Sequence, residues 1–202
     1  MSDVTFSIIV PTTGRPSLTQ TLASIVEQLE PGDEVIVLRD DSGDLGDTPR
    51  NETMHRARGT HLLFMDDDDQ YARGALATIR RFAEEHPGRI GIFRMRYLDG
   101  HVLWRRPALE YRNVSTQLFV VPNVPGKLGR WERRGHVIGD FVFLTETAKL
   151  QGEPIFREEI ITHVRSDRRP LVRALQRVTT PLRELRYRTS PRTRLRRALG
   201  RG

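Results

Sequence analysis

The sequence predicts an α/β fold with a parallel sheet, and three observations lead to that prediction. Apolar runs at residues 5–10, 34–38 and 62–65 have the length of buried strands. Helix-compatible stretches lie between them, one with apolar residues at helical spacing from Leu18 to Leu29 and one at about residues 49–58. Strands and helices that alternate at this spacing are typical of right-handed crossover units, whose strands run parallel.

All three predicted strands end in polar or acidic residues. The first is followed by residues 11–16, the second by Asp40 and Asp41, and the third by four consecutive aspartates, 66–69. Parallel strands bring their carboxyl ends to one edge of the sheet, where such folds bind ligands. Adjacent carboxylates repel one another, so a fold keeps them in open solvent or around a cation that prefers oxygen ligands. A solvated turn would explain the aspartate run alone, but three such strand ends favour a site.

Composition excludes several other classes of protein. The 202 residues include no cysteine, which excludes a disulfide framework and a thiolate metal site. No apolar run reaches the roughly 20 residues of a membrane span. The first residues form a strand-like run without a basic leader, so we expect a cytoplasmic protein, either free or peripheral at the inner membrane surface.

Charge divides the chain near residue 165. Residues 165–202 contain 13 arginines and two acidic residues, a formal charge of +11, whereas the whole chain carries +7. Residues 1–164 therefore carry −4. We expect residues 1–164 to form the enzyme-sized domain and residues 165–202 to form an arginine-rich tail, amphipathic or partly disordered. Such a tail suits an anionic membrane surface or nucleic acid, and the sequence leaves both open.

Residues 5–85 carry a family resemblance. The segments 7–16, 35–44, 50–51 and 57–69 resemble, in order, spacing and strand context, those of a family 2 glycosyltransferase of the GT-A fold. The resemblance implies a three-layer α/β fold with a mostly parallel central sheet. It also implies metal-dependent, inverting transfer of a sugar from a nucleotide diphosphate sugar to an acceptor hydroxyl, with a UDP-sugar favoured by family habit.

The resemblance assigns roles to residues at the strand ends. Asp66 and Asp68 match the DxD motif that holds Mn²⁺ or Mg²⁺ against the diphosphate. Asp40 and Asp41 match the aspartate pair that reads the base, and Arg50 matches a basic position near the phosphates. The implied metal ligands are Asp66, Asp68 and a later histidine, His163. The implied nucleotide-sugar contacts are Pro11, Thr12, Arg15, Asp40, Asp41, Arg50, Asp66 and Asp67.

An inverting transferase also needs a general base for the acceptor hydroxyl. The family places an aspartate at the start of a helix beyond the DxD motif, often within a Glu-Asp pair, and Asp140 matches it. Gly139 stands where that glutamate is usual. The alternative is that Asp140 is only the N-cap of a helix from Phe141 to Leu150.

Two other functions fit part of the sequence. A nucleotidyltransferase uses similar metal chemistry, but it usually has a glycine-rich loop followed by a basic residue after the first strand, which residues 11–16 match poorly. A nucleic-acid-binding protein acting through its basic tail on a degenerate transferase scaffold would explain residues 165–202. That function leaves the acidic edge of the sheet without a purpose. Trp104 and Trp131 could stack on a sugar or belong to the core.

Overall fold

The computed structural model describes residues 3–164. The expected tail, residues 165–202, lies outside this range. Its predicted partners, an anionic membrane surface or nucleic acid, therefore stay predictions. Residues 3–164 contain four helices, α1 Leu18–Val26, α2 Asp47–Met54, α3 Ala75–Glu85 and α4 Gly139–Gln151, and a 3-10 turn at Thr116–Leu118. The strands of the described range are β1 Phe6–Thr12, β2 Glu34–Arg39, β3 His61–Phe64, β4 Asp69–Tyr71, β5 Gly91–Arg96, β6 Val102–Leu103, β7 Phe119–Pro122 and β8 Ile155–Val164. None of these helices is long and apolar enough to cross a membrane.

The strands form one sheet in the order β2-β1-β3-β7-β5-β8-β4, with β6 paired to β5. β1 runs parallel to both β2 and β3, as the alternation of strands and helices predicted. The sheet as a whole is mixed, because β7 runs antiparallel to both β3 and β5. No helix lies between β5 and β7, and strands joined without a crossover helix can run in opposite directions. The first three strands are therefore parallel as expected, whereas the later strands are mixed, because β8 runs parallel to β5 and antiparallel to β4.

Helices cover both faces of the sheet, which confirms three layers. Successive strand residues point to opposite faces. Ile8 of β1 packs in one apolar cluster with Ile25 of α1 and Ile79 of α3. Ile9, the next residue, belongs to the opposite cluster, which also contains Phe143 of α4. Because β1 is buried on both faces, its carboxyl end is held rigidly at the edge of the sheet.

A cluster of aromatic side chains packs in the core on the side of the sheet that α4 covers. Trp131 is buried, and its ring stacks on Phe143 at 4.7 Å and packs edge-on against Phe64 at 4.8 Å. Trp104 is also buried and lies 4.1 Å from the guanidinium of Arg94. Both tryptophans are therefore core residues, as one of the two sequence interpretations expected.

Candidate functional site

The loop after β1 is hydrogen-bonded directly to the four aspartates that follow β3, residues 66–69, called here the aspartate turn. The Thr12 hydroxyl donates to Asp67 Oδ2 at 2.6 Å, and the backbone N–H of Thr13 donates to the same oxygen at 3.3 Å. Arg15 Nη1 lies 2.9 Å from Asp68 Oδ2 and 3.4 Å from Asp67 Oδ1. The ends of two neighbouring strands are thus joined through four side chains. Asp67 is buried in this contact, so it acts here by holding the loop.

The first and last aspartates of the turn share an amide donor. Gln117 Nε2, on the 3-10 turn before β7, lies 2.7 Å from Asp66 Oδ2 and 2.6 Å from Asp69 Oδ2. Gln117 is buried, so its amide holds the two carboxylates close together. Sequence reasoning missed this residue, because nothing local distinguishes a glutamine that precedes an apolar strand.

Three carboxylates of the turn could hold a metal ion together. One oxygen each of Asp66, Asp68 and Asp69 lies within 4.8 Å of the others. An all-carboxylate donor set suits a hard divalent cation such as Mg²⁺ or Mn²⁺. His163, on β8 opposite Gln70 of β4, is not a member of this described group. Its role as a ligand therefore stays a prediction.

Arg50 links helix α2 to the aspartate turn. Its side chain is buried, with the residue 2% exposed, and Nη2 lies 2.6 Å from Asp66 Oδ1. Nη1 donates to the backbone oxygen of Leu45 at 2.8 Å, and the guanidinium lies 4.6 Å from the centre of the Trp131 ring. These contacts leave the guanidinium one orientation, with its positive charge directed at the acidic edge.

The base-reading candidates lie at the neighbouring strand end. The Asp40 backbone N–H donates to the Thr12 carbonyl at 2.7 Å, so the loops after β1 and β2 run side by side. The side chain of Asp41 is 75% exposed and pairs with Arg39 at 3.1 Å. Pro11 is buried and aligned with Leu38 of β2. The predicted nucleotide contacts therefore share one edge, with Asp41 the most open to solvent of these acidic groups.

A glycine permits the close approach of α2 to this edge. Gly46, the N-cap of α2, has φ +87°, a left-handed conformation that favours glycine. A Cβ there would lie 2.6 Å from Arg50 Nη1 and 3.1 Å from the Pro11 ring. Any larger residue would displace the arginine from the aspartate turn.

Asp140 lies inside the first turn of α4. The N-cap of this helix is Ile138, so the expectation that Asp140 caps a helix beginning at Phe141 is wrong. The helix starts two residues earlier, and Asp140 Oδ1 instead accepts a hydrogen bond from the Phe141 N–H at 2.6 Å. Asp140 is 6% exposed, and this burial raises its pKa to about 7, with the Asp66 charge acting in the same direction. A carboxyl group that titrates near neutrality suits a general base.

Asp47 is a second buried carboxylate that sequence reasoning missed. It is the first residue of α2 and 6% exposed, and burial raises its pKa above the usual range. The Arg50 charge opposes that shift. Its place near Arg50 was visible in the sequence, but its proximity to α4 depends on the packing of two helices.

Comparison with solved structures identifies the architecture. S. aureus TarS residues 1–349 align with a TM-score of 0.64 and 19% identity over 79% of this chain and 60% of that one. TarS is a family 2 glycosyltransferase with the GT-A fold. This chain has the GT-A fold. At this identity the likeness establishes the fold alone.

Two further TarS structures agree. The complex of residues 1–349 with UDP-GlcNAc aligns at a TM-score of 0.63 and 18% identity, over 79% of this chain and 58% of that one. A longer TarS structure aligns at 0.65 and 15% identity, over 93% of this chain and 40% of that one. The chain thus spans less than two thirds of each of these TarS structures. No protein-family model and no curated protein matches the sequence.

Proposed function

We propose that this GT-A domain is a metal-dependent, inverting glycosyltransferase that moves a sugar from a nucleotide diphosphate sugar to an acceptor hydroxyl. The observation that supports it best is the group of Asp66, Asp68 and Asp69 oxygens within 4.8 Å of one another at the carboxyl edge of the sheet. Two of the TarS structures contain UDP-GlcNAc or UDP, which favours a uridine nucleotide as the donor.

The donor would lie across the ends of β1, β2 and β3. Asp41 has an exposed carboxylate that can accept a hydrogen bond from the ring N–H of uracil. Arg50 presents a fixed guanidinium suited to a phosphate oxygen. The proposed donor contacts are those implied by the family resemblance: Pro11, Thr12, Arg15, Asp40, Asp41, Arg50, Asp66 and Asp67.

The residues of the turn fit a cation. Asp66, Asp68 and Asp69 would hold Mn²⁺ or Mg²⁺, with His163 a candidate for a further ligand. When bound, the cation stabilises the negative charge that grows on the leaving diphosphate. Arg15 neutralises Asp68 in the structure, at 2.9 Å, and so competes with a cation for that carboxylate.

Asp140 would act as the base. In its ionised form it accepts the proton of the acceptor hydroxyl as the hydroxyl oxygen attacks the anomeric carbon. A new bond between carbon and the acceptor oxygen forms while the bond from carbon to the phosphate oxygen breaks, and the diphosphate leaves with the electron pair. Attack on the face opposite the leaving group inverts the anomeric configuration. Burial favours the protonated product of this step, which makes Asp140 a stronger base.

Nucleotide binding provides the test. We would measure the melting temperature with UDP, GDP, CDP and dTDP, each with and without Mn²⁺, for the wild type and Asp68→Asn. A ligand at 100 times its Kd stabilises a protein by about 2.7 kcal/mol, which gives a shift of several degrees. We expect one nucleotide to produce this shift only with metal, and Asp68→Asn to abolish it.

The matched control is Glu84→Gln, which removes an exposed carboxylate from α3 and should leave the shift unchanged. An equal shift without metal, or in Asp68→Asn, would show that the metal assignment is wrong. No shift with any of the four nucleotides would overturn the donor site.

A further inference from the structure

A neighbouring side chain, and not the backbone conformation of Gly139, explains why this position is a glycine. As the first residue of α4 it does not have the positive φ that favours glycine, unlike Gly46 and nine other glycines of the described residues. A Cβ built on it would lie 2.5 Å from Asp47 Cγ and closer still to Asp47 Oδ1. The carboxylate of Asp47 therefore occupies the space that a side chain at position 139 would take.

Asp47 and Asp140 come from different helices to the same place. Asp47 begins α2 and Asp140 is the second residue of α4, and both side chains are buried. Arg50 lies one turn further along α2 and pairs with Asp66 at 2.6 Å. The site thus contains one buried arginine whose charge acts on three carboxylates, those of Asp47, Asp66 and Asp140.

A buried carboxylate fills this space less favourably than an apolar side chain would. Burying an ionised group removes its hydration, which destabilises the folded state, whereas an apolar side chain of this size would fill the gap without that loss. The negative charge of Asp47 therefore indicates an electrostatic role in addition to packing. Burial is the main cause of the raised pKa of Asp140, and the charge of Asp47 acts in the same direction.

We propose that Asp47 supplies from α2 the second carboxylate of the base site, the group that the family pattern places at position 139 of α4, and acts as a positioning residue for Asp140. This inference rests on the proposed transferase function. Asp47 packs on the first turn of α4, which carries Asp140, and so sets the place of that turn. It also attracts Arg50, whose guanidinium pairs with Asp66 at 2.6 Å.

The test removes the carboxylate of Asp47 from α2 and places one at position 139 of α4, in the full chain. We would measure Mn²⁺-dependent release of the nucleotide diphosphate from UDP-GlcNAc and from a panel of UDP-, GDP- and dTDP-sugars. The variants are Asp47→Asn, Asp47→Ala, and Asp47→Ala combined with Gly139→Asp. The Asn variant keeps the shape of the side chain and removes its charge, so it separates charge from packing.

We expect Asp47→Asn to lower kcat by about tenfold or more, equivalent to about 1.4 kcal/mol of transition-state stabilisation, with little change in the KM of the donor. Asp47→Ala should do the same, and the double variant should recover most of the lost kcat. Gly139→Ala should lower the melting temperature in the wild-type background and be tolerated in Asp47→Ala, because the opposing carboxylate is then absent. Glu52→Gln, which removes an exposed carboxylate on the same helix, serves as the control.

The outcomes distinguish this inference from the proposed function. Wild-type kcat in Asp47→Asn, with kcat lost in Asp140→Asn, would overturn the role of Asp47 and leave the transferase standing. A double variant that melts like the wild type, binds UDP and remains as slow as Asp47→Ala would show that the two positions are not equivalent. A wild type that binds no nucleotide of the panel would overturn the proposed function itself.

Discussion

The Thr12 hydroxyl donates to the Asp67 carboxylate at 2.6 Å, and this one bond joins the ends of two neighbouring strands whose residues lie 55 positions apart. Both side chains are buried, so the bond is shielded from water. It holds the loop after β1 against the aspartate turn, and the backbone N–H of Gly14 donates to the same hydroxyl at 2.9 Å. The Thr12–Asp67 hydrogen bond therefore connects the proposed donor site to the proposed metal site.

Asp67→Ala should destabilise the domain. Loss of the carboxylate leaves the buried Thr12 hydroxyl without its acceptor, which costs about 1 to 3 kcal/mol of unfolding free energy. Nucleotide binding should weaken as well, because the loop after β1 loses its anchor. Urea denaturation measures the first effect. The control Asp41→Ala, at an exposed position, should change stability by less than about 0.5 kcal/mol. Equal stability of the two variants would contradict the anchoring role.

Gln117→Glu should make the aspartate turn depend on a cation. The wild-type amide donates to Asp66 and Asp69, whereas a glutamate there can only accept and would repel both. We expect the melting temperature without metal to fall, and the stabilisation by Mn²⁺ to exceed that of the wild type. Calorimetric melting with and without Mn²⁺ measures both. Gln20→Glu, at an exposed position on α1, is the control, and a metal response that stays at the wild-type level would count against a cation at this turn.

Asp140→Asn should lower activity and raise the free energy of unfolding. The folded state holds the proton of Asp140 up to about pH 7, whereas the unfolded chain releases it near the usual value of 3.8. The wild type therefore loses stability as the pH rises between these values, and the Asn variant does not. Above the folded pKa the variant should be more stable by about 2 to 4 kcal/mol, since each pKa unit corresponds to about 1.36 kcal/mol.

Denaturation at a series of pH values measures that difference, which should shrink as the pH falls toward 4. Wild-type turnover should rise over the pH range in which wild-type stability falls. The wild-type rate should rise with pH through about 7 as Asp140 ionises, and that rise should be absent from the residual rate of Asp140→Asn. A wild-type rate that does not change across this range would show that Asp140 is not the base.

Arg50→Met should remove both a structural bond and the proposed phosphate contact. The guanidinium donates to the Leu45 carbonyl and to Asp66, and hydrogen bonds to charged groups contribute about 1.5 to 3 kcal/mol each. We expect a loss of stability of this order and a weaker response to nucleotide. Arg50→Lys keeps the charge but cannot make both bonds, so it should recover nucleotide binding only in part.

Calorimetric titration of each Arg50 variant with nucleotide and Mn²⁺ measures the effect on binding. Arg56→Met, an exposed position just beyond α2, is the matched control and should bind as the wild type does. If Arg50→Met were folded and bound nucleotide with the wild-type Kd, the phosphate contact would be wrong.

The sequence by itself determined the first half of the fold and the edge at which the site lies. The apolar run 62–65 followed by four aspartates indicates a buried strand that ends in carboxylates, and β3 has this form in the structure. The same local pattern located β1 and β2, although only β1 is buried along its whole length, because β2 lies at the edge of the sheet and is partly exposed. The resemblance extended these local signals to the GT-A fold, which the TarS structures confirm.

The tertiary structure decided which groups meet at that edge. Gln117 lies 51 residues from Asp66, and Asp47 approaches Gly139 only because α2 and α4 pack on the same face of the sheet. The antiparallel entry of β7 likewise depends on pairing between strands that are distant in the chain. Periodicity reports whether a residue is buried, whereas these contacts depend on the packing of elements that have no shared local pattern. The distant partners of Asp66 and Asp47 were therefore a property of the folded chain.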